Sequence, residues 1–352
     1  MARTSDRRPL VSVIVPVWNG GRFLRESLDS ILAQTYAPIE VLVMDDQSTD
    51  DTAEVAQSYG GRIRYHRQSA NRGIYGNAND GIAMARGDYI AVYHADDIYA
   101  PAIVEREVGF LEAHPKAGAV FSSMIMIDPA GAERGRLTLP PAVRGDRSVA
   151  FDVVINTLLR HKNCFLMCPS SMVRTAVYRE LNGYRDEEFR NTSDLDMWLR
   201  IANRYEIGVL EDRLFRYRYG HGNSAQRYHK LRTDPERYFR IMDLHLQQGA
   251  SAVAEPDAIR AHEAHRSQDA LLRAINAYIL ERRDEARRIL GEVRLGSILG
   301  SGAVERSRLV LMFAALQVLV RLPRFNPVAR AMSWRWNGAG RPKPGQRVRF
   351  AA

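Results

Sequence analysis

Two aspartate pairs, Asp45-Asp46 and Asp96-Asp97, each stand where a short run of branched apolar residues gives way to polar sequence. The runs before them span residues 39–44 and 89–93, and a similar run at 11–17 precedes both. Short continuous apolar runs bounded by turn signals read as strands buried on both faces, the kind found in parallel sheets. Between them lie segments of helical period. Phe23, Leu24, Leu28, Ile31 and Leu32 share one face of residues 21–34, residues 49–58 open with Ser/Thr/Asp capping chemistry, and 74–85 follows a short strand at 63–66. Strand–helix alternation at this spacing predicts βαβ units. Ligands of such sheets bind beyond the carboxyl ends of the strands, which is where both aspartate pairs fall.

Further along, a helix is expected at 101–114 with Pro101 in its first turn, and a strand at 117–127. The Pro-, Gly- and Arg-rich stretch 128–150 reads as a loop. An extended segment at 169–174 leads into a helix ending near Asn182-Gly183, and 195–205 is an amphipathic helix carrying Trp198, Leu199, Ile201 and Ala202. Strands at 207–210 and 214–217 would close the first domain. After about residue 226 only helical patterns remain. Residues 270–280 and 284–293 read as a hairpin with Leu271, Leu272, Ile275, Ile279, Ala286, Ile289 and Leu290 facing inward. Residues 309–320 are apolar nearly all round, Gln317 excepted, so they are expected to be buried against protein or inserted elsewhere. The expected division is 1–225 for the α/β domain, 226–334 for a helical region and 335–352 for a basic tail.

The chain has 352 residues, 45% apolar and 26% charged, which excludes a wholly disordered or fibrous protein. Its two cysteines, Cys164 and Cys168, make no disulfide framework and read as buried thiols in a reducing compartment. No run of about 18 apolar residues is present, so no transmembrane helix is expected. The polar, Arg-rich first nine residues do not resemble a secretion signal, and the expected location is the cytoplasm. Arg306 and the residues after it carry ten positive charges and no Asp or Glu, so the remaining 305 residues sum to 9 − 10 = −1. The basicity therefore belongs to the C-terminal end.

The ordered set Val11-Ser-Val-Ile-Val-Pro-Val-Trp-Asn-Gly, Val41-Leu-Val-Met-Asp-Asp-Gln-Ser-Thr-Asp-Asp and Gly87-Asp-Tyr-Ile with Ala95-Asp-Asp resembles the family 2 glycosyltransferases. The resemblance covers residues 9 to about 224. It implies a GT-A fold, that is, a Rossmann-like, mostly parallel central sheet flanked by helices, here with an all-helical C-terminal extension. It also implies a metal-dependent enzyme of hexosyltransferase type. Such an enzyme moves a sugar, with inversion, from a nucleotide diphosphate, here expected to be a UDP-sugar, to an acceptor hydroxyl in surface polysaccharide or glycolipid synthesis. Polyprenyl-phosphate glycosyl transfer and a catalytically inactive nucleotide-sugar-binding scaffold are the alternatives. A dinucleotide enzyme is disfavoured, because Trp18-Asn-Gly-Gly21 follows the first strand where Gly-x-Gly-x-x-Gly would stand.

Carried over residue by residue, the resemblance makes Asp46 the carboxylate that accepts a hydrogen bond from the base, with Ser48 in the following turn. A fixed carboxylate reads an imide N–H and cannot pair with a lone-pair nitrogen. Pro16, Trp18 and Asn19 join the donor-binding set; Trp18 and Asn19 either flank the base or, for the Trp, pack into the core. Arg72, in Asn71-Arg-Gly73, either approaches the donor or is a surface residue. Asp96 matches the metal-binding aspartate and suits Mn²⁺ or Mg²⁺, with Asp97 in support. The usual motif has Asp two residues earlier, where this chain has His94. His221, in Gly220-His-Gly-Asn-Ser224, either completes the metal shell or sits in a solvated loop. Asp194 is the expected general base, in Ser193-Asp-Leu-Asp-Met-Trp-Leu-Arg200, where Ser193 replaces the family's Glu and is expected to cap the helix. Asp196 points to a different face. Residues 164–174 are expected to line the acceptor side. The partners implied are a nucleotide-sugar and a saccharide or lipid-linked saccharide. The stretch 306–349, with Trp334 and Trp336 among its arginines, reads either as an anchor on an anionic, cytoplasmic-face membrane surface or as a helix packed on protein. No nucleic-acid-binding module accompanies the charge.

Overall fold

The computed structural model describes residues 8–220, 231–299 and 303–321. The chain divides into two units, Met1–Val154 with Asn163–His221, and Ile155–Lys162 with Gly222–Ala352.

The first unit opens with β1 (Val11–Val17), α1 (Gly21–Leu32), β2 (Ile39–Asp45), α2 (Thr52–Gln57), β3 (Arg64–Arg67), α3 (Ile74–Met84) and β4 (Tyr89–Val92). Every residue of β1 and β4 is buried, which is why their sequences are continuous apolar runs and do not alternate. Next come β5 (Ile98–Tyr99), α4 (Ile103–Ala113), β6 (Ala117–Ile127), β7 (Glu133–Arg136), β8 (Arg147–Val149) and α5 (Phe151–His161). The unit ends with β9 (Ser171–Arg174), α6 (Thr175–Glu180), α7 (Asp186–Phe189), α8 (Ser193–Ala202) and β10 (Glu206–Arg218).

All ten strands form one sheet in the order β3-β2-β1-β4-β9-β6-β10-β5, with β7 paired to β6 and β8 to β10. β3, β2, β1 and β4 run parallel, β9 is antiparallel to both its neighbours, and β6 and β10 are parallel. Val17 pairs with Asp45 and Val92 with Ser171. This register brings the ends of β1, β2 and β4 to one edge of the sheet, together with the start of β9.

In this unit the structure departs from the sequence expectation chiefly in the following places. The stretch 128–150, expected to be a loop, holds β7 and β8, whose charged side chains give no period-2 pattern. The strands expected at 207–210 and 214–217 are one strand, β10, which absorbs the exposed Glu211 and Asp212 through register shifts between Leu210 and Phe215. Residues 151–161, where no element was expected, form α5. Finally, α8 begins two residues before the expected start, so Ser193 is already inside the helix.

The second unit contains α9 (Arg237–Gln247), α10 (Pro256–Ile279), α11 (Arg283–Leu290), α12 (Leu295–Leu299) and α13 (Ala303–Leu319). The expected hairpin is α10 with α11, but α10 starts fourteen residues earlier than residue 270, with Pro256 at its first position. Its N-terminal half escapes a hydrophobicity reading because its buried positions, Ala258, His262, Ala264 and Ser267, are small or polar. Asp269 pairs with Arg232 and Arg273, and Arg273 also reaches Glu292. Leu271, Ala274, Ile275 and Tyr278 meet Ala286, Ile289 and Leu290 of α11 in one core, which Leu309, Leu316 and Val320 also enter. The apolar stretch 309–320 is therefore buried on one face only; Leu311 is 70% and Val318 57% exposed.

Candidate active site

At the end of β2, Asp45 is consumed by structure: its carboxylate accepts the Ser48 amide at 2.8 Å and the Tyr65 hydroxyl at 2.5 Å. Asp46 turns the other way. Its two carboxylate oxygens accept the backbone N–H groups of Arg72 and Gly73, at 2.6 and 2.9 Å. Gly73 has φ +74°, a conformation that aligns its amide with the carboxylate and that other residues adopt only with strain. Burial pushes the Asp46 carboxyl above its ordinary value, against the pull of those two amides.

The turn after β1 is tied to this edge. The Asn19 N–H donates to the Ser48 hydroxyl at 2.9 Å, and the Asn19 side-chain oxygen accepts the Thr49 amide at 2.8 Å. Pro16 is buried within β1. Trp18 is 51% exposed beside these groups, so it is not a core residue. The Arg72 guanidinium pairs with Asp80 at 3.4 Å, so it is the backbone of this residue, not its side chain, that meets Asp46.

Beyond β4, His94, Asp96 and Asp97 bring one ligand atom each to within 4.8 Å of one another. Asp97 is fully buried; one of its oxygens accepts the Arg218 amide at 2.8 Å, while Oδ2 has no hydrogen-bond partner. The Nε2 atom of His94 is likewise buried and unpartnered. Burial pushes His94 down, so its imidazole is neutral and able to act as a ligand. Two carboxylates and a neutral imidazole, with orphaned donor atoms among them, form a set that fits Mn²⁺ or Mg²⁺. The loop is held by Arg218, whose guanidinium donates to the carbonyls of Asp96, Asp128 and Pro129 and pairs with Glu26 at 2.5 Å. His221 lies outside the described residues.

Asp194 sits half-buried in the first turn of α8. Burial raises its carboxyl to about 6, against the pull of the Leu195 amide, the Tyr75 hydroxyl and its own amide. The expected Ser193 cap is not formed. The chain enters α8 through a tight turn at Arg190–Thr192, which places the Ser193 hydroxyl against the carbonyls of Arg190 and Arg185, to which it donates at 2.6 and 3.3 Å. Asp196 is buried between Arg185 and Arg200, at 2.8 Å from each, as a structural ion pair. Of residues 164–174, Cys168 is buried, with burial and the nearby Asp194 charge pushing its thiol up, and Ser171, Met172 and Val173 of β9 are buried within the sheet.

Sequence reasoning gave Asp97 only a supporting place and did not name His94 as a ligand, although its motif position pointed there. It also missed Tyr75, Arg218 and the half-buried Asp186. Burial pushes Asp186 up, and the nearby Asp46 charge adds to that effect. No local pattern marks these three.

The pattern of the family described as Glycosyl transferase family 2 matches residues 12–181. EpsE of Bacillus subtilis (strain 168), named as a glycosyltransferase, is 32% identical over 216 residues, covering 60% of this chain and 73% of its own. Among solved structures, residues 1–349 of TarS from S. aureus superimpose with a TM-score of 0.60 at 17% identity, covering 93% of this chain and 91% of that one. The same TarS fragment has been solved in complex with UDP-GlcNAc. A mannosyltransferase from Pyrobaculum calidifontis, solved with GDP-Man and Mn²⁺, matches with a TM-score of 0.52 at 18% identity over 94% of this chain and 88% of its own. At these identities the solved structures establish the fold.

Proposed function

The chain belongs to glycosyl transferase family 2 and has its GT-A architecture, and from that premise we propose that it transfers a sugar, with inversion, from a UDP-sugar to an acceptor hydroxyl of a surface polysaccharide or glycolipid. The observation that carries this reading is the convergence of three carboxylate stations on one sheet edge. Asp46 follows β2, Asp96 with His94 and Asp97 follows β4, and Asp194 stands at the head of α8. The residue that leads into α3 ties that helix to the first of them, through the Gly73 amide on Asp46.

In this mechanism Asp46, held rigid by two amides, accepts the imide N–H of the base with its remaining lone pairs, and the exposed Trp18 ring covers the base face. His94, Asp96 and Asp97 would hold the divalent cation, which would offset charge on the diphosphate. The Asp194 carboxylate, ionised above about pH 6, takes the proton of the acceptor hydroxyl as that oxygen attacks the anomeric carbon opposite the leaving diphosphate. Complexes of fold relatives with UDP-GlcNAc and with GDP-Man and Mn²⁺ support a nucleotide-sugar and a divalent ion at this edge.

Calorimetric titration with UDP and GDP, each with and without Mn²⁺, tests the donor site. Metal-dependent UDP binding that is lost in both Asp46→Ala and Asp96→Ala is the expected result; no binding of either nucleotide under any metal condition overturns the assignment.

A second reading concerns the helical unit, where the exposed Leu311 and Val318 of α13 lie between the exposed Arg308 and Arg321. An apolar face with cationic flanks, followed in sequence by further arginines, suits an anionic membrane surface. No helix among the described residues is long and apolar enough to cross a membrane.

A further inference from the structure

Resting on the reading of His94, Asp96 and Asp97 as the cation site, we propose that Tyr99, helped by Ser27, is a positioning residue of that site: the two hydroxyls grip the backbone of His94 and aim its imidazole at the cation shared with the two aspartates.

His94 stands just after β4, where the chain has left the sheet ladder, so its backbone is held by side chains. Its amide donates to the Tyr99 hydroxyl at 2.6 Å, and its carbonyl accepts the Ser27 hydroxyl at 3.0 Å. The Tyr99 hydroxyl also donates to that carbonyl, at 3.4 Å. One phenol oxygen thus meets both backbone polar atoms of His94. With the N–H and the C=O of one residue held, the direction of its Cα–Cβ bond is held too.

The grip is firm because Tyr99 is itself fixed. It is 2% exposed, and its ring lies parallel to that of Tyr93 with centroids 4.0 Å apart and 6.3 Å from the ring of Phe215. The Tyr99 amide donates to the Ser30 hydroxyl at 3.1 Å, and Ser30 shares α1 with Ser27. Tyr93 is anchored in turn, through its hydroxyl, which donates to the buried Glu107 at 3.0 Å. Both hydroxyls that hold His94 are therefore referred to the same helix.

An imidazole needs this more than a carboxylate does. A carboxylate offers a cation two oxygens and about four lone-pair directions, whereas a neutral imidazole offers a single in-plane lone pair. Metal-ligating histidines are ordinarily oriented by a hydrogen bond to the other ring nitrogen. Here Nε2 has no hydrogen-bond partner, and Nδ1 has only the Asp97 Oδ2 atom at 4.0 Å, too far for a hydrogen bond. The ring inherits its aim from the backbone. In this chain, which has His94 where the family's usual motif has Asp, the task of orienting the ligand falls to Tyr99 and Ser27.

The test is Mn²⁺ titration of the full chain, with and without UDP, followed by electron paramagnetic resonance. Wild type is compared with His94→Ala, Tyr99→Phe, Ser27→Ala and the combination of Tyr99→Phe with His94→Ala. Bound Mn²⁺ is expected to show hyperfine coupling to an imidazole nitrogen that disappears in His94→Ala. Tyr99→Phe keeps the stacked ring and removes the hydroxyl; it is expected to weaken Mn²⁺ binding about tenfold and to diminish the nitrogen coupling. Added to His94→Ala it should change the affinity by less than about twofold, because no imidazole is left to aim. A merely structural Tyr99 would weaken binding by the same factor in both backgrounds and leave the nitrogen coupling in place; that result overturns the proposal, as does an unchanged affinity in Tyr99→Phe. Ser27→Ala covers the case in which Tyr99→Phe does not fold: its Mn²⁺ affinity should fall while His94 is present, and no fall overturns the proposal. Failure of the underlying reading looks different. A wild-type protein that binds no Mn²⁺, or binds it with no coupling that depends on His94, removes His94 from the cation site before Tyr99 is touched.

Discussion

Replacing the proposed base should make this protein more stable. Asp194 titrates near 6 in the folded chain against an ordinary value of 3.8, and the cause is burial. Two pH units at 1.36 kcal/mol each set a ceiling of about 3 kcal/mol, and partial exposure of the carboxylate brings the expectation to about 1.5–3 kcal/mol. The sign follows from proton counting. As pH rises from about 4 to 6 the unfolded chain has already released this proton while the folded chain still holds it, so stability falls across that window. Above 6 the penalty is complete. Asp194→Asn cannot ionise and keeps the shape of the side chain. At pH 8 it should therefore exceed wild type by that amount, with the advantage shrinking below pH 6 and gone below about 4. Urea unfolding read through the fluorescence of the fully buried Trp198 measures it. For slopes of about 2–3 kcal/mol per molar urea, the midpoint should rise by about 0.5–1.5 M at pH 8. A variant less stable than wild type at pH 8, or a difference independent of pH between 4 and 8, refutes the reasoning. Sugar transfer should be lost in the same protein, so stability and activity would move in opposite directions.

Gly73→Ala should cost about 1 kcal/mol through its positive φ and misalign the amide that holds Asp46, so UDP affinity in calorimetry should fall even where the fold survives thermal melting. Arg218→Ala removes three carbonyl contacts and an ion pair from the His94–Asp97 loop, and a loss of about 3 kcal/mol is expected, with Mn²⁺ affinity falling alongside. Unchanged Mn²⁺ binding in a folded Arg218→Ala protein would contradict the bracing role given to this residue. Leu311→Glu with Val318→Glu should abolish co-sedimentation with vesicles of phosphatidylcholine and phosphatidylglycerol while leaving UDP binding intact, and wild-type binding itself should weaken with salt.

The parallel half of the sheet was legible because β1, β2 and β4 are buried on both faces, and burial on both faces writes a continuous apolar run. Asp46 and Asp96 were legible for the same reason, since the ends of those runs mark the edge where ligands bind. β7 and β8 were not, because short pairing segments such as Glu133–Arg136 carry polar side chains and depend on a neighbouring strand that local sequence does not reveal. The Ser193 cap failed because capping is a matter of entry geometry: a preceding tight turn moved the serine one position into the helix. Arg218 acts across a long sequence separation, and nothing local distinguishes a buried arginine that braces a loop from one that ends a strand in solvent.

The Arg218 brace also orders events during synthesis. A chain leaving the ribosome completes β1, β2, α3 and β4, and with them the cradle of Asp46, while more than a hundred residues of the unit are still to come. The loop bearing Asp96 and Asp97 cannot be locked until residue 218 follows, because the guanidinium that grips it is the last side chain of β10. Asp194 arrives in the same late segment. A nascent chain thus passes through a long interval in which the Asp46 cradle exists without the braced Asp96–Asp97 loop or Asp194, and the proposed transfer site is completed only by the closing strand.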